Sequence, residues 1–218
     1  MDITWLGHSC FRVRGRDATV VTDPCDKSTG YNISRPTADI VTVSHDHPAH
    51  SNVSGVAGTP KVIRGPGEFE VAGVLIQGIQ TFHDAAKGGE LGKNTAYVLE
   101  LDDVLICHLG DLGHVPTSEQ VEELSGVDIL LVPVGGGSTI GASAAAETVS
   151  LLEPKLVIPM HYKTPSAKVD LEPLERFLKE IGAPGALDEK QPKLSVTKST
   201  LPHEIKVQVM EYKGADRD

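Results

Sequence analysis

The sequence predicts an α/β (α+β) fold, in which two packed β-sheets carry helices on their outer faces. Short apolar runs bounded by turn residues dominate the first half of the 218-residue chain, and such runs are typical of buried strands. Further along, similar runs alternate with segments of helical composition. No tandem repeat or long linker interrupts the chain, so we predict one domain over residues 1–218, with a frayed polar tail at 211–218.

The first strands are expected to form an antiparallel meander. A hairpin turn at Gly15-Arg16-Asp17 joins the second strand to the third. His8 lies between the first two strands, where the simplest role is that of a turn histidine bonded to the backbone. Asp23-Pro24 ends the third strand, and a turn aspartate is its ordinary interpretation. The predicted strands are Ile3–Leu6, Cys10–Arg14 and Ala18–Thr22.

A histidine cluster follows the next strand. After a loop over 28–39, the apolar run 40–44 leads directly to His45, His47 and His50. Residues two apart in an extended chain point to the same side, so His45 and His47 can both reach one ion. Pro48 cannot continue strand pairing, so the chain should turn there and bring His50 to a second position.

Three later strands also end close to a potential metal ligand. The strand 74–81 leads to His83, the hairpin of 95–101 and 104–108 leads to His108 and then to Asp111, and the strand 156–159 leads to His161. Ligands at strand ends have rigid support, which suits a metal site. Between these strands we expect a Gly-Pro-Gly turn that presents Glu68, and a flexible loop over 85–94 that borders the site.

Helices are predicted in the second half of the chain. Thr117 is expected to cap the first helix, with Gln120 completing a capping box. The second helix covers 142–152, and an amphipathic segment over 171–181 forms the third. Strands at 129–132, 194–197 and 205–209 complete the prediction. The stretch Gly135-Gly136-Gly137-Ser138-Thr139 lacks the lysine of a P-loop, so it is a tight turn whose N–H groups could hold an anionic substrate group.

The residue types favour a divalent transition metal. Imidazole nitrogens with a few carboxylate oxygens suit Zn, Mn, Ni or Fe better than Ca or Mg. The cysteines Cys10, Cys25 and Cys107 lack C-x-x-C spacing, which argues against a closed structural zinc site. Cys107 is expected to be a small buried hydrophobic residue, although it neighbours His108.

Charge and cysteine usage limit the function classes. The formal net charge of -10 disfavours a general nucleic-acid surface, so no nucleic-acid partner is expected. No apolar stretch has the length that a bilayer requires, and the N-terminus lacks the pattern of a signal peptide, so no membrane association is expected. An odd number of cysteines without C-x-x-C spacing suggests reduced thiols and a cytoplasmic location.

Taken in order, these motifs resemble the metallo-β-lactamase superfamily, and within it the small bacterial metal-dependent hydrolases akin to L-ascorbate-6-phosphate lactonase. The resemblance covers roughly residues 1–163, and it implies a four-layer αββα sandwich of two mixed β-sheets with helices on the outer faces. The family's His-x-His-x-Asp-His motif falls on 45–50. Supporting matches are Trp5-Leu6-Gly7-His8-Ser9, Thr22-Asp23-Pro24, Gly65-Pro66-Gly67-Glu68-Phe69-Glu70, His108-Leu109-Gly110-Asp111-Leu112-Gly113-His114 and Pro159-Met160-His161-Tyr162.

The resemblance also implies a role for each candidate residue. One metal would be held by His45, His47 and His83. A second would be held by His50 and His161, and Asp111 would bridge the two. Among the remaining residues, Asp23 would orient a ligand from behind, His8 would face the metal cleft, His114 would lie near the cleft without binding metal, and His108 would be structural.

One position departs from the family's motif. Its aspartate, which binds the second metal and helps to orient the attacking water, is Ala49 in this chain. Asp111 would then orient the water alone unless Glu68 or His8 assists, and weak binding of the second metal is expected. One or two ions are therefore both compatible with the sequence.

The implied function is that of a metal-dependent hydrolase, lactonase- or esterase-like, that uses a metal-activated water on a small anionic ester or lactone. The substrate could be phosphorylated, and Lys163, the cation nearest the His161 motif, is a candidate to contact it. A phosphodiesterase is one alternative. The other is a metal-binding protein with little turnover, because Ala49 replaces the usual aspartate. Family analogy also suggests a homo-oligomer.

Overall fold

The structure is a computed structural model that describes residues 1–212. Two mixed β-sheets pack face to face, which confirms the predicted α/β class. The first sheet has six strands in the order β12-β1-β2-β3-β4-β5, and the second has seven in the order β13-β11-β10-β9-β8-β7-β6. The strands are β1 (Asp2–Gly7), β2 (Cys10–Arg14), β3 (Thr19–Thr22), β4 (Ile40–Val43), β5 (Lys61–Arg64), β6 (Gly67–Val71), β7 (Val74–Phe82), β8 (Lys93–Leu101), β9 (Val104–His108), β10 (Ile129–Pro133), β11 (Leu156–Met160), β12 (Leu194–Ser195) and β13 (Lys206–Val207).

In the first sheet, apolar side chains point alternately to the two faces of each strand, so each face of the sheet carries an apolar layer. Ile3, Trp5 and Phe11 face the second sheet and belong to the main core. Leu6 and Val41 face the other way and form a smaller core. This is the period of two that a pleated strand imposes. The smaller core is covered by the segment between β3 and β4 and by the short 3-10 helix Val53–Gly55.

Three α-helices are associated with the seven-stranded sheet: α1 (Ser118–Leu124), α2 (Ala142–Leu152) and α3 (Leu174–Glu180). The capping box is confirmed, because the Thr117 side chain accepts from the Gln120 N–H while the Gln120 side chain accepts from the Thr117 N–H. The third helix begins later than the predicted 171, since Pro173 occupies its N-cap in an extended conformation. None of the helices within residues 1–212 combines the length and apolar character needed to cross a membrane.

The predicted turn at Gly65–Glu68 is wrong in its second half. Only Gly65 and Pro66 turn, and Gly67 starts β6, an edge strand that pairs with β7. The predicted loop 85–94 is likewise shorter, because β8 begins at Lys93. Glu68 and Glu70 are exposed, so the sequence of β6 is polar at these positions. Charged side chains are common on strands at the edge of a sheet.

The start of the predicted frayed tail is packed. Tyr212 packs against the main core and shares a hydrogen bond between its hydroxyl and that of Ser166 at 2.8 Å. The N–H of Glu211 donates to the carbonyl of Gln191. The rest of that prediction, residues 213–218, lies outside the described part of the chain.

Candidate metal centre

The predicted ligands converge because the strands that carry them run in the same direction within each sheet. β1 and β4 are parallel to each other, since β1-β2 and β2-β3 are antiparallel and β3-β4 is parallel. The same reasoning makes β7, β9 and β11 parallel. The carboxyl ends of these strands meet along one edge of the sandwich, where they are followed by His8, His45, His47, His50, His83, Asp111 and His161.

The Asp111 carboxylate lies at the centre of this arrangement. Its Oδ2 is 3.1 Å from Nε2 of His50, 3.2 Å from Nε2 of His83 and 3.6 Å from Nε2 of His161. The side chain is 4% exposed, so water competes little for this oxygen. One carboxylate oxygen facing imidazoles from three different strand ends is the arrangement expected of a group that bridges two cations.

Within residues 1–212, three groups of side chains bring potential ligand atoms within 4.8 Å of one another. The groups share members, so they describe one continuous centre with two ends. One end contains the exposed His47, and the other is buried. The groups are His45-His47-His50, His45-His83-Asp111 and His8-His50-His161.

Asp23 orients two ligands from behind the centre. Its Oδ2 accepts a hydrogen bond from Nδ1 of His50 at 2.9 Å and another from the Ser44 hydroxyl at 2.6 Å. Because the Ser44 proton points to Asp23, its oxygen is left to accept from Nδ1 of His45 at 3.0 Å. With Nδ1 of each imidazole engaged in this way, Nε2 is the atom of each ring that could bind a cation. The sequence indicated the role of Asp23 but not that of Ser44.

His83 and Asp111 are fixed by backbone contacts. Nδ1 of His83 donates to the Ser138 carbonyl at 2.9 Å, so the glycine-rich turn holds this ligand in place. The Asp111 N–H donates to Oδ1 of Asn94 at 3.0 Å. Asn94 in turn donates to the Leu109 carbonyl at 2.9 Å. Sequence reasoning placed Asn94 in a mobile loop and missed this role.

The charges within the centre stabilise one another. Burial raises the pKa of Asp111, but His161 and His50 outweigh this effect and hold the pKa well below its usual value. Burial lowers the pKa of His50, yet Asp111 and Asp23 together raise it to about 10. Burial and the neighbouring His50 lower the pKa of His45 to about 4. The carboxylate is thus ionised, and the His45 imidazole is neutral at pH 7.

The donor set fits a divalent transition metal. Nδ1 of His8 and Nδ1 of His161 are buried, and neither has a hydrogen-bond partner among the described residues. Buried polar atoms are normally satisfied, so the centre offers nitrogen lone pairs that a cation can accept. His8 and His161 also adopt left-handed backbone conformations with φ of 53° and 52°. Such strain tends to occur where a structure holds a functional group in place.

Three other candidate residues belong to none of the ligand groups found in residues 1–212. His108 is structural as expected, with Nε2 2.8 Å from the Ser9 carbonyl. Both ring nitrogens of His114 are bonded to backbone, one accepting from the Phe82 N–H and the other donating to the Val115 carbonyl, so it supports the end of β7. Glu68 is exposed on β6 opposite Gln77 and belongs to none of the ligand groups found in the described chain.

The three cysteines are buried thiols. Burial raises the pKa of Cys107 well above its usual value, so this thiol does not ionise near pH 7. Cys107 pairs within the seven-stranded sheet, between Val98 and Leu130. It is therefore a core residue, and the structure gives it no place among the ligand groups.

Comparison with known proteins gives a family model and sequence relatives. The model of the β-lactamase superfamily domain matches residues 2–161. A metal-dependent hydrolase of Pyrococcus horikoshii is 30% identical over 206 residues, which cover 81% of this chain and 91% of the relative. A metal-dependent hydrolase of Salinibacter ruber is 30% identical over 215 residues, covering 84% and 94% of the two chains.

A solved structure extends the similarity to the whole fold. It is the crystal structure of a protein from Thermotoga maritima, described as a candidate zinc-dependent hydrolase of the metallo-β-lactamase superfamily. The two chains are 44% identical and superpose with a TM-score of 0.78, covering 97% of this chain and 99% of the other. Both the sheet architecture and the chain length are therefore shared.

Proposed function

The chain belongs to the metallo-β-lactamase superfamily and is a metal-dependent hydrolase; from this premise we propose that its substrate is a small anionic ester or lactone, with or without a phosphate group. The observation that carries the hydrolytic part is the position of Asp111 Oδ2 within 3.6 Å of three imidazole nitrogens. A bound divalent cation makes hydroxide available near neutral pH and polarises a carbonyl or phosphoryl oxygen.

The ligands divide between two positions. His45, His47 and His83 are suited to hold one ion, and His50 and His161 to hold another, with Asp111 between them. Zinc is our first choice among Zn, Mn, Ni and Fe, because imidazole-rich sites suit it and the Thermotoga maritima relative is described as zinc-dependent. Asp111, ionised and held by Asn94, is suited to bind cations and to orient the attacking water.

The anionic character of the substrate is supported by two features near the centre. The glycine-rich turn reaches His83 through the Ser138 carbonyl, so an anion bound by its N–H groups would lie beside a metal ligand. Lys163 follows His161 by two residues and is exposed. Its backbone is fixed by an N–H bond to the Glu172 carbonyl, which keeps its position defined relative to His161.

Charge and thiol chemistry support the rest of the proposal. The formal net charge of -10 favours a small-molecule substrate over a nucleic acid. The three buried cysteines are free thiols, which is usual in the reducing cytoplasm, and we place the protein there. A homo-oligomer remains our expectation from family analogy.

The test is a substrate panel with zinc-, manganese-, nickel- or iron-loaded protein. It contains carboxylate-bearing esters, lactones, phosphorylated lactones, their neutral counterparts and an aryl phosphodiester. We expect turnover of anionic esters or lactones, and a loss of about 100-fold or more in kcat/KM for Asp111→Asn, since metal-linked stabilisation amounts to several kcal/mol. Asp103→Asn, at an exposed hairpin turn, is the matched control.

Lys163→Ala tests the anionic preference. It should raise KM for charged substrates and leave neutral ones unchanged, whereas Lys190→Ala, at an exposed site after a 3-10 helix, should change neither. Hydrolysis of the phosphodiester alone would replace the ester assignment with a phosphodiesterase. Metal binding without turnover of any compound would favour a metal-binding protein with little activity.

A further inference from the structure

The second metal position has lost one donor. The resemblance places an aspartate of the metal-binding motif at position 49, and Ala49 offers only a methyl group there. Ala49 is buried, and its N–H donates to Nδ1 of His47 at 3.3 Å. The remaining groups at this end of the centre are His50, His161 and Asp111, which give an ion three donors.

His8 lies directly beside these groups. Its ring centroid is 4.3 Å from that of His161 and 5.0 Å from that of His50. A ligand atom from each of the three imidazoles lies within 4.8 Å of the other two. The His8 side chain comes from the turn between β1 and β2, on the sheet that also supplies His50.

The surroundings of His8 fix its backbone and leave its ring free to bind. Its carbonyl accepts from Nε1 of Trp5 at 2.9 Å and from the N–H of His161 at 3.3 Å. Nδ1 of the ring is buried and has no hydrogen-bond partner within residues 1–212. A histidine that only stabilised a turn would use this nitrogen for the backbone, as His108 and His114 do.

We propose that His8 is a metal ligand that supplies the donor missing at Ala49, so that His8, His50, His161 and Asp111 hold the second ion. This inference rests on the proposed metal-dependent function. It replaces a carboxylate oxygen with an imidazole nitrogen, which makes the second position a site of three imidazoles and one carboxylate. Such a donor set prefers Zn, Ni or Fe over Mn or Mg.

The experiment measures metal content and affinity, and it does not require a substrate. Zinc per chain is determined by elemental analysis, and stepwise dissociation constants by competition with a chromophoric chelator. The visible spectrum of the cobalt-substituted protein reports the ligands independently. The variants are His8→Ala, His8→Gly and the control His203→Ala, whose side chain is exposed. Glycine adopts the φ of 53° found at His8 without strain, so His8→Gly preserves the turn if alanine does not.

We expect two ions in the wild type and in His203→Ala. Both His8 variants should keep one ion and bind the second at least about 100-fold more weakly, since even indirect partners of a ligand change affinity by 10- to 100-fold. Adding Ala49→Asp to His8→Gly should restore the second ion, because the carboxylate returns to its usual position. Circular dichroism confirms that each variant is folded.

Two results would overturn the inference. One is wild-type stoichiometry and affinity in both His8 variants. The other is a single ion in the wild type that the His8 variants retain. Absence of any bound metal from the folded, metal-supplied wild type would instead remove the proposed function itself, so the two failures are distinguishable.

Discussion

Asp23 and His50 form a buried pair in which Nδ1 of the imidazole donates to Oδ2 of the carboxylate at 2.9 Å. The same oxygen accepts a hydrogen bond from the Ser44 hydroxyl. Because Ser44 also contacts Nδ1 of His45, Asp23 orients His45 through Ser44. One carboxylate outside the ligand groups therefore orients two histidines that we assign to different ions.

Replacing Asp23 by asparagine should weaken metal binding without removing a ligand. We expect zinc affinity to fall 10- to 100-fold, the usual range for a group that orients a metal-bound histidine. Competition with a chromophoric chelator measures the change. Asp17→Asn, at the exposed hairpin turn after β2, is the control and should bind zinc like the wild type. Unchanged affinity in Asp23→Asn would show that the imidazoles are positioned by packing alone.

Gly113 is required by the close approach of two chain segments. A Cβ built at this glycine would lie 2.3 Å from the backbone carbonyl of His83 and 2.4 Å from the Asp84 N–H nitrogen. Gly113→Ala should therefore displace a ligand, lowering the free energy of unfolding by about 1–3 kcal/mol and weakening zinc binding. Urea denaturation and zinc titration measure the two effects. Gly185→Ala, where nothing lies within 4 Å of the added Cβ, should change neither quantity.

Because of Asp128, the free energy of unfolding should decrease as the pH falls below about 4. Its carboxylate accepts from Lys198 at 2.6 Å, Lys155 at 3.0 Å and the Leu105 N–H at 3.0 Å. Burial raises the pKa of Asp128, but these three donors outweigh it and lower the pKa below its usual 3.8. A lowered pKa in the folded state contributes stability above the unfolded pKa of about 3.9, and this stability is lost as the pH falls through the folded pKa.

Asp128→Asn should lower the free energy of unfolding at pH 7 by about 1–2 kcal/mol, since both lysines are partly screened by solvent. The difference from the wild type should shrink between pH 5 and pH 3. Urea denaturation across this range tests the sign, with the exposed Asp188→Asn as the control. A difference that grows towards low pH would contradict the assignment.

The Asp84 carboxylate should hold the loop beside His83 in one conformation. Its carboxylate accepts from the N–H groups of Gly88 at 2.8 Å, Glu90 at 3.1 Å and Leu91 at 2.6 Å. Asp84→Ala removes these acceptors, so we expect faster amide hydrogen exchange across 85–92 and earlier proteolytic cleavage there. Exchange elsewhere should stay as in the wild type. Asp103→Ala provides the control, and equal exchange of the loop in both proteins would show that the loop is ordered by other contacts.

Local patterns in the sequence were enough to predict which strands end at the centre. The β-branched runs before His45 and His161 and the composition of α2 lie within short windows, and their bounds agree with the structure to within one residue. The alternation in β1 and β2 reflects which face meets the second sheet, and that pattern is visible in the residues themselves.

The supporting contacts could not be predicted in the same way. Ser44 meets Asp23 across 21 positions and Asn94 meets Asp111 across 17, so both depend on strand register, which the pattern of apolar residues does not determine. β6 was missed because its exposed glutamates hide the strand. Tyr212 was assigned to a polar tail, and only the three-dimensional fold brings it to Trp5, with ring centroids 5.8 Å apart.

The hydrogen bond from the His161 N–H to the His8 carbonyl has a consequence for biosynthesis, because it joins residues that are made far apart in time. Strand β1 also pairs with β12 at Leu194 and Ser195, so its place in the sheet is completed only after most of the chain has left the ribosome. A nascent chain that displays His45, His47 and His50 alone therefore has no finished centre to load. Metal acquisition should follow synthesis, and a tightly held ion would report that the N-terminal strand has reached its final position.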